Sequence, residues 1–349
     1  MVDKINPSSK RATISDVAKK ANVGVATVDR VINQRATVSA KTTKKVLQAA
    51  KELNFRTTHL MNNALINNAR TCVVGVILQG KESHYLHSLT EEMKKVCELY
   101  QEHCRLEFCI LDDISCTSMC EAITHMAKYC HLLGILTADH PQINETIKKT
   151  TEAGVPVITL ISEISSQYVT THIGEDARSS GRTAGWYIAN LAKNSGSVGL
   201  IISDHRFLCQ ETYEVGFRTY IREKRQDLKI VDAVISQKDP NLAQQSTEQL
   251  LTHYPDLVGL YHAGGNPEGV VNALKQHNQY QMLTVISNEL TGTTSEALRD
   301  GYLDIILSCR KPELSHQFIK SAIKIYNNKE KYIPIRCDVS SEILCSENI

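Results

Sequence analysis

Side chains able to hold phosphate and probe a groove crowd into one short stretch, Thr13 to Arg56, TISDVAKKANVGVATVDRVINQRATVSAKTTKKVLQAAKELNFR. Residues 1 to 60 carry 12 lysines and arginines against four acidic residues, a balance of +8. The whole 349-residue chain is only +1, so the other 289 residues carry −7. A near-neutral pI of 7.6 thus hides a basic head on an acidic body, the distribution expected if only the head meets phosphate. On charge alone, a solvated helical bundle whose lysines aid solubility is the alternative.

Three short helices must position these side chains. Thr13 can cap the first, with Asp16 placed to face the free N–H groups of its first turn. Ala21 to Gly24 reads as a tight turn. A second helix then buries Val28, Val31 and Ile32 and leaves Val25, Ala26, Asp29, Arg30 and Asn33 outward. A third opens at the cap Ser39 and aligns Val46, Ala49, Ala50 and Leu53 on one face. The arrangement predicts a helix-turn-helix whose second helix can lie in the major groove of DNA.

The same residues resemble the lactose/galactose repressor family of bacterial regulators. The likeness lies in T-I-S-D-V-A-K-K-A-N-V from Thr13, A-T-V-D-R-V-I-N from Ala26, V-S-A-K-T from Val38 and L-N-F from Leu53. It implies that Val25, Ala26 and Arg30 read base edges while Ser15, Thr27, Asn33, Thr37, Ser39 and Thr42 steady phosphates. Arg30 can donate two bonds to guanine, and Val25 and Ala26 can touch a thymine methyl. Asp29 stands where the family usually has serine, and must pair with Arg30 or accept from cytosine. Gly24 is a weaker cap than the usual serine.

Residues 58–70 form the expected linker between a head at 1–57 and a body at 71–349. The resemblance implies a hinge helix that wedges a leucine into the minor groove. Ala64 occupies that position, Leu65 follows it, and the usual proline is Thr57. A polar tether without a DNA role is the alternative.

From Thr71 onward, apolar runs alternate with helical segments. Strands are predicted at Cys72–Leu78, Leu106–Leu111, Leu132–Thr137, Val155–Leu160, Val198–Ser203, Val231–Ser236, Leu257–His262, Leu283–Ser287 and Ile305–Ser308. Continuous apolar runs argue for parallel strands covered on both faces, and about 280 residues argue for two doubly wound α/β lobes rather than one. Such sheets bind ligands at their carboxyl ends, so the cleft between lobes is the expected pocket.

This body resembles the periplasmic-sugar-binding-protein fold that the same regulators carry as a sensor. The likeness rests on G-I-L-T-A-D-H-P from Gly134, A-G-V-P-V-I from Ala153, G-E-D and G-R-T-A-G within Gly174 to Gly185, A-G-G-N from Ala263 and V-I-S-N from Val285. It places Tyr85, Asp139, Asp176, Tyr213, Asn266, Asn288 and Arg310 at the cleft, with a sugar-like small molecule as effector. Arg310 stands where the family has an uncharged polar residue. A buried guanidinium seeks a carboxylate or phosphate, which favours an acidic effector, unless Arg310 pairs on the surface with Glu313 or Asp304.

Six of the eleven cysteines fall between Cys97 and Cys130, with His103 and His125 among them and His131 directly after. No C-x-x-C pair occurs, and only Cys116 and Cys120 stand at helical ligand spacing, so buried reduced thiols are expected rather than a metal or redox site. The first 12 residues are polar and no apolar run nears 18 residues, so no membrane association is expected and a cytoplasmic location is. The sequence holds no G-x-S-x-G elbow, phosphate loop, H-E-x-x-H or strand-borne G-x-G-x-x-G, which argues against an enzyme, and no cofactor is implied. The reading is a regulator, by default a repressor, bound as a homodimer to near-palindromic double-stranded DNA under effector control. A ligand sensor whose head is a protein adaptor is the alternative.

Overall fold

The computed structural model describes residues 13–33, 38–53, 71–80, 83–237, 239–277, 282–327 and 335–349. The hinge at 58–70, with Ala64 and Leu65, and Thr37 in the head lie outside the described residues.

The head is three helices, α1 (Ile14–Ala21), α2 (Val25–Asn33) and α3 (Ala40–Glu52). Thr13 caps α1 reciprocally: its Oγ1 accepts from the Asp16 N–H at 3.3 Å while its own N–H donates to Asp16 Oδ2 at 2.8 Å. Asn22 adopts the left-handed conformation that ends α1, and the chain turns directly into α2. Ser39 Oγ accepts from the Thr42 N–H at 3.3 Å and so opens α3. Val17, Ala18, Ala21, Val28, Val31, Val46, Ala49 and Ala50 close a small core of short side chains, which lets the three helices approach closely.

Two lobes follow. In the first, β1 (Cys72–Gln79), α4 (His84–Glu98), β2 (Cys104–Leu111), α5 (Cys116–Met126), β3 (Leu132–Leu136), α6 (Pro141–Glu152), β4 (Val157–Leu160) and β5 (Thr171–Gly174) alternate. All eight residues of β1 are buried, as its unbroken apolar run requires. The second lobe comprises α7 (Ala177–Leu191), β6 (Gly196–Ile202), α8 (Leu208–Lys224), β7 (Leu228–Ile230), β8 (Val234–Ile235), α9 (Pro240–His253), β9 (Leu257–His262), α10 (Pro267–Gln276), β10 (Thr284–Asn288), α11 (Gly292–Arg299) and β11 (Ile305–Cys309). Helix α12 (Lys311–Asn327) and β12 (Ile335–Asp338) return to the first lobe, and β13 (Ser341–Leu344) ends in the second.

The first sheet has the order β12-β5-β4-β3-β1-β2 and is parallel throughout. The second runs β13-β11-β10-β9-β6-β7, with β8 beside β6 and β13 alone antiparallel. Helices cover both faces of each sheet: α4 and α12 oppose α5 and α6 on the first, while α7 and α8 oppose α9 to α11 on the second. The chain crosses between lobes three times, after β5, after β11 and after β12.

Strands β5, β7, β12 and β13 are absent from the sequence reading. Each is three or four residues long, and THIG, LKI, IRCD and SEIL carry polar side chains at or near sheet edges. The expected strand Val231–Ser236 shrinks to Val234–Ile235, and that expected from Val155 begins at Val157, after Pro156. All eleven cysteines are free thiols. Cys116 and Cys120 do share α5, but the Cys116 thiol meets Gln142 Oε1 at 3.0 Å. Among the described residues, no cluster of three ligating side chains could hold a metal.

Candidate functional site

On the head, α2 presents Val25, Ala26 and Arg30 to solvent, with Thr27 and Asp29 half-buried beside them. Val25 is 50% exposed, unusual for a valine in so small a domain. These residues recur at helical spacing on the face opposite Val28 and Val31. Ser15 is exposed on α1, and Lys19 and Lys20 extend from its last turn. Ser39 and Thr42 hold one another at 2.8 Å between their hydroxyls at the start of α3. Asn33 ends α2; its side chain lies outside the described residues. The exposed apolar pair beside a guanidinium can make groove contacts, and hydroxyls at two helix N-termini can meet phosphates.

The lobes enclose a cavity of about 640 Å³ at the carboxyl ends of both sheets. It opens where each strand order reverses, beyond β1 in one sheet and between β6 and β9 in the other, the position physics favours for ligands in doubly wound folds. Tyr85, Tyr213, Asn266 and Asn288 line it, as do Asp112, Asp113, Glu175, Phe207, Gln210, Gln237 and Glu289, which the sequence reading missed.

Asp139, Asp176 and Arg310 are not among the described lining residues. Asp139 Oδ1 accepts from Asn144 Nδ2 at 3.0 Å and from the Ser165 N–H at 3.1 Å. Asp176 caps α7 through the N–H groups of Arg178 and Ser179; those bonds, with the Ser179 hydroxyl first, hold its carboxyl below the usual range. Arg310 has a 56% exposed side chain 3.8 Å from Glu342. Its partner is neither Glu313 nor Asp304, and its position removes the ground for expecting an acidic effector.

The wall is conformationally strained. Five described non-glycine residues have positive φ, and four of them line the cavity: Ile161 (63°), Gln237 (51°), Asn266 (55°) and Glu289 (72°). A β-branched residue in this region is a true outlier, and such strain gathers at binding sites because the surrounding structure holds it there. Hydrogen bonds do the holding: Ile161 N–H donates to the Ile173 carbonyl at 2.9 Å, and Gln237 N–H to the Ser203 carbonyl at 2.9 Å. Glu289 Oε1 accepts from the Gly265 N–H at 3.0 Å.

Buried polar groups brace this wall. His262 lies between the Ser287 hydroxyl and the Gly265 carbonyl, each at 2.9 Å, and burial pushes its imidazole down to about 4. The carbonyl can only accept, so Nε2 carries the proton and Nδ1 accepts from Ser287. Asn288 accepts from Tyr261 at 3.2 Å and donates to the Ala263 carbonyl at 2.9 Å. Tyr213 donates to Glu175. Burial, then the nearby Glu175, pushes the Tyr213 phenol well above its ordinary range, so it stays a donor. Lys311 donates to the Leu290 carbonyl at 2.8 Å and lies 4.6 Å from the Tyr85 ring centre; burial lowers its ammonium.

Contacts span the cleft. Asp139 N–H donates to the Arg206 carbonyl at 2.7 Å, Cys209 N–H to Ser162 Oγ at 3.3 Å, and His84 Nδ1 stands 3.2 Å from Glu268. Among the described residues, no helix is long and apolar enough to cross a membrane.

Residues 13–58 match the family of bacterial regulatory proteins named for lacI, and residues 74–330 match the periplasmic binding protein domain. The HTH-type transcriptional repressor PurR of Pasteurella multocida is 36% identical over 86 residues, 25% of each chain. Catabolite control protein A of Staphylococcus aureus is 34% identical over 91 residues, 26% of this chain and 27% of its own. The matches thus span about a quarter of the length of these curated relatives. The body shares its fold with a solute-binding protein of Agrobacterium vitis bound with α-D-tagatopyranose (TM-score 0.73, 16% identity, 80% of this chain and 96% of that one). It does so also with GanP, a glucose-galactose binding protein from Geobacillus stearothermophilus (TM-score 0.72, 16% identity, 80% and 99%). The chain belongs to the periplasmic binding protein domain family through residues 74–330, behind a three-helix head within residues 13–58 that matches the lacI family of bacterial regulatory proteins.

Proposed function

We propose that this protein is a DNA-binding transcription regulator, a repressor by default, whose operator affinity is set by a sugar-like effector in the inter-lobe cavity. One observation carries the reading: α2 exposes Val25, Ala26 and Arg30 on a basic head, in a chain that also builds a strained 640 Å³ cavity. Residues 1–57 are the DNA-binding unit, 58–70 the hinge and 71–349 the sensor. One helix reads too few base pairs for genomic specificity, so two heads on a near-palindromic site are needed, and a symmetric dimer supplies them. Ligand closing the cleft would rotate one lobe against the other and alter the spacing of the two heads. A protein lying on a promoter blocks polymerase, which makes repression the simplest output.

The cavity serves as a receptor rather than a catalytic centre. Its polar side chains are mostly engaged in bracing one another, which suits holding a ligand more than attacking one. Selection of bound sequences from random duplex DNA with the full chain tests the reading. Enrichment of a near-palindrome, bound more weakly as salt rises, is expected. Absence of salt-dependent DNA binding in a protein that still binds a ligand would favour the adaptor instead.

A further inference from the structure

Four carboxylates line the cavity: Asp112 and Asp113 beyond β2, Glu175 beyond β5 and Glu289 beyond β10. The described lining residues include no lysine, arginine or histidine, while Tyr85, Phe207 and Tyr213 add three aromatic rings. Carboxylates beside ring faces attract cations and repel anions.

Glu175 separates a cationic ligand from a neutral one. It is 5% exposed, and its side-chain partners are three hydroxyls: Tyr213 donates to Oε1, while Ser180, at 3.1 Å, and Ser341 donate to Oε2. Arg336 meets Glu175 at the backbone carbonyl, 3.3 Å away, and spends its other nitrogens on Glu163 and Asp338. Lys311 is directed at Ser88 and the Leu290 carbonyl. Hydroxyls solvate a buried carboxylate but bring it no charge, and buried charges are ordinarily paired. Three donors also leave Oε1 room for one more.

Asn266 supplies a second, independent sign. Its Nδ2 is buried without a hydrogen-bond partner, on a left-handed residue of the cavity wall. A buried amide donor of this kind is costly until a ligand oxygen accepts from it.

We propose that the cavity takes a polyhydroxylated compound bearing a basic nitrogen, an amino sugar or amino polyol. Its ammonium provides a positive charge that the described residues do not bring to the Glu175 carboxylate, and one of its oxygens accepts from Asn266. The inference rests on the reading of the cavity as the effector site. Calorimetry of the full chain with matched sets on one skeleton, glucosamine, glucose and glucuronate and their galactose counterparts, tests it. An amine should bind at least about tenfold more tightly than its neutral counterpart, with no uronate binding. Amine affinity should fall as pH rises through the amine's own ionisation, while glucose affinity should not. E175Q, which keeps the shape and removes the charge, should abolish the preference; the pH arm decides the matter if that variant fails to fold. Equal or tighter binding of a neutral sugar, binding of a uronate, or no binding of any amine overturns the proposal. DNA binding by the same preparation separates the outcomes: retained operator binding without amine binding sinks only this inference.

Discussion

Ile161 holds a β-branched side chain at φ 63° on the first lobe, while the three other left-handed cavity residues, Gln237, Asn266 and Glu289, belong to the second. Asn266 carries an amide whose donor is buried and unpartnered. Asn266→Gly should therefore leave unfolding free energy unchanged or raised by up to about 1 kcal/mol, because glycine tolerates the conformation and the orphan donor disappears. A loss above that in urea unfolding would show that the side chain supports the fold. Arg30→Ala should weaken specific operator binding by roughly 1–3 kcal/mol in gel-shift titration while sparing ligand binding. Buried histidines supply a pH dependence. Burial holds both His172 and His262 down to about 4, below the ordinary 6.5. Between those values the unfolded chain binds more protons, so stability present at neutral pH is lost as pH falls. The loss approaches about 1.4 kcal/mol per pH unit for each histidine. Urea midpoints should drop from pH 7 to pH 5, and His172→Gln should shrink the drop by about half.

Among the elements, the α7–α8 crossing is a closely constrained contact of the second lobe. A Cβ on Gly181 would overlap the Tyr213 carbonyl, and one on Gly216 would overlap the Arg178 carbonyl, so both glycines allow the helix backbones to meet. Because α8 carries Tyr213, this packing also places a cavity residue. Gly181→Ala and Gly216→Ala should each cost about 1–3 kcal/mol in chemical denaturation, since backbone rather than a flexible side chain must yield. The helices of the head and most inner strands were legible because their signals are local: caps, helical spacing and unbroken apolar runs. Strands β5, β12 and β13 were not, since four polar-containing residues become a strand only when a neighbour supplies the ladder. Phase matters equally. Leu307 and Cys309 line the cavity while Arg310, one residue further, faces out, as alternation along an extended chain requires. Glu175 and Asp176 divide in the same way, one into the cavity and the other onto the end of α7.

For the whole molecule, the proposed function requires a coupling between the head and the cavity. An effector that distinguishes closed from open lobes should change operator affinity by about 5–150-fold in fluorescence anisotropy, in either direction. A ligand that binds without changing operator affinity would show that cavity and head are uncoupled. What the residues determined by themselves is the architecture: a basic three-helix head followed by two wound lobes, with Val25, Ala26 and Arg30 outward. Those properties follow from periodicity and charge within a few tens of residues. Only the tertiary structure decided the cavity's chemistry, because Glu175, Tyr213 and Ser341 lie up to 166 residues apart and meet only after the chain has crossed between lobes three times. Long-range closure leaves no local pattern, which is why an arginine near the cleft suggested an anion while the assembled walls present carboxylates.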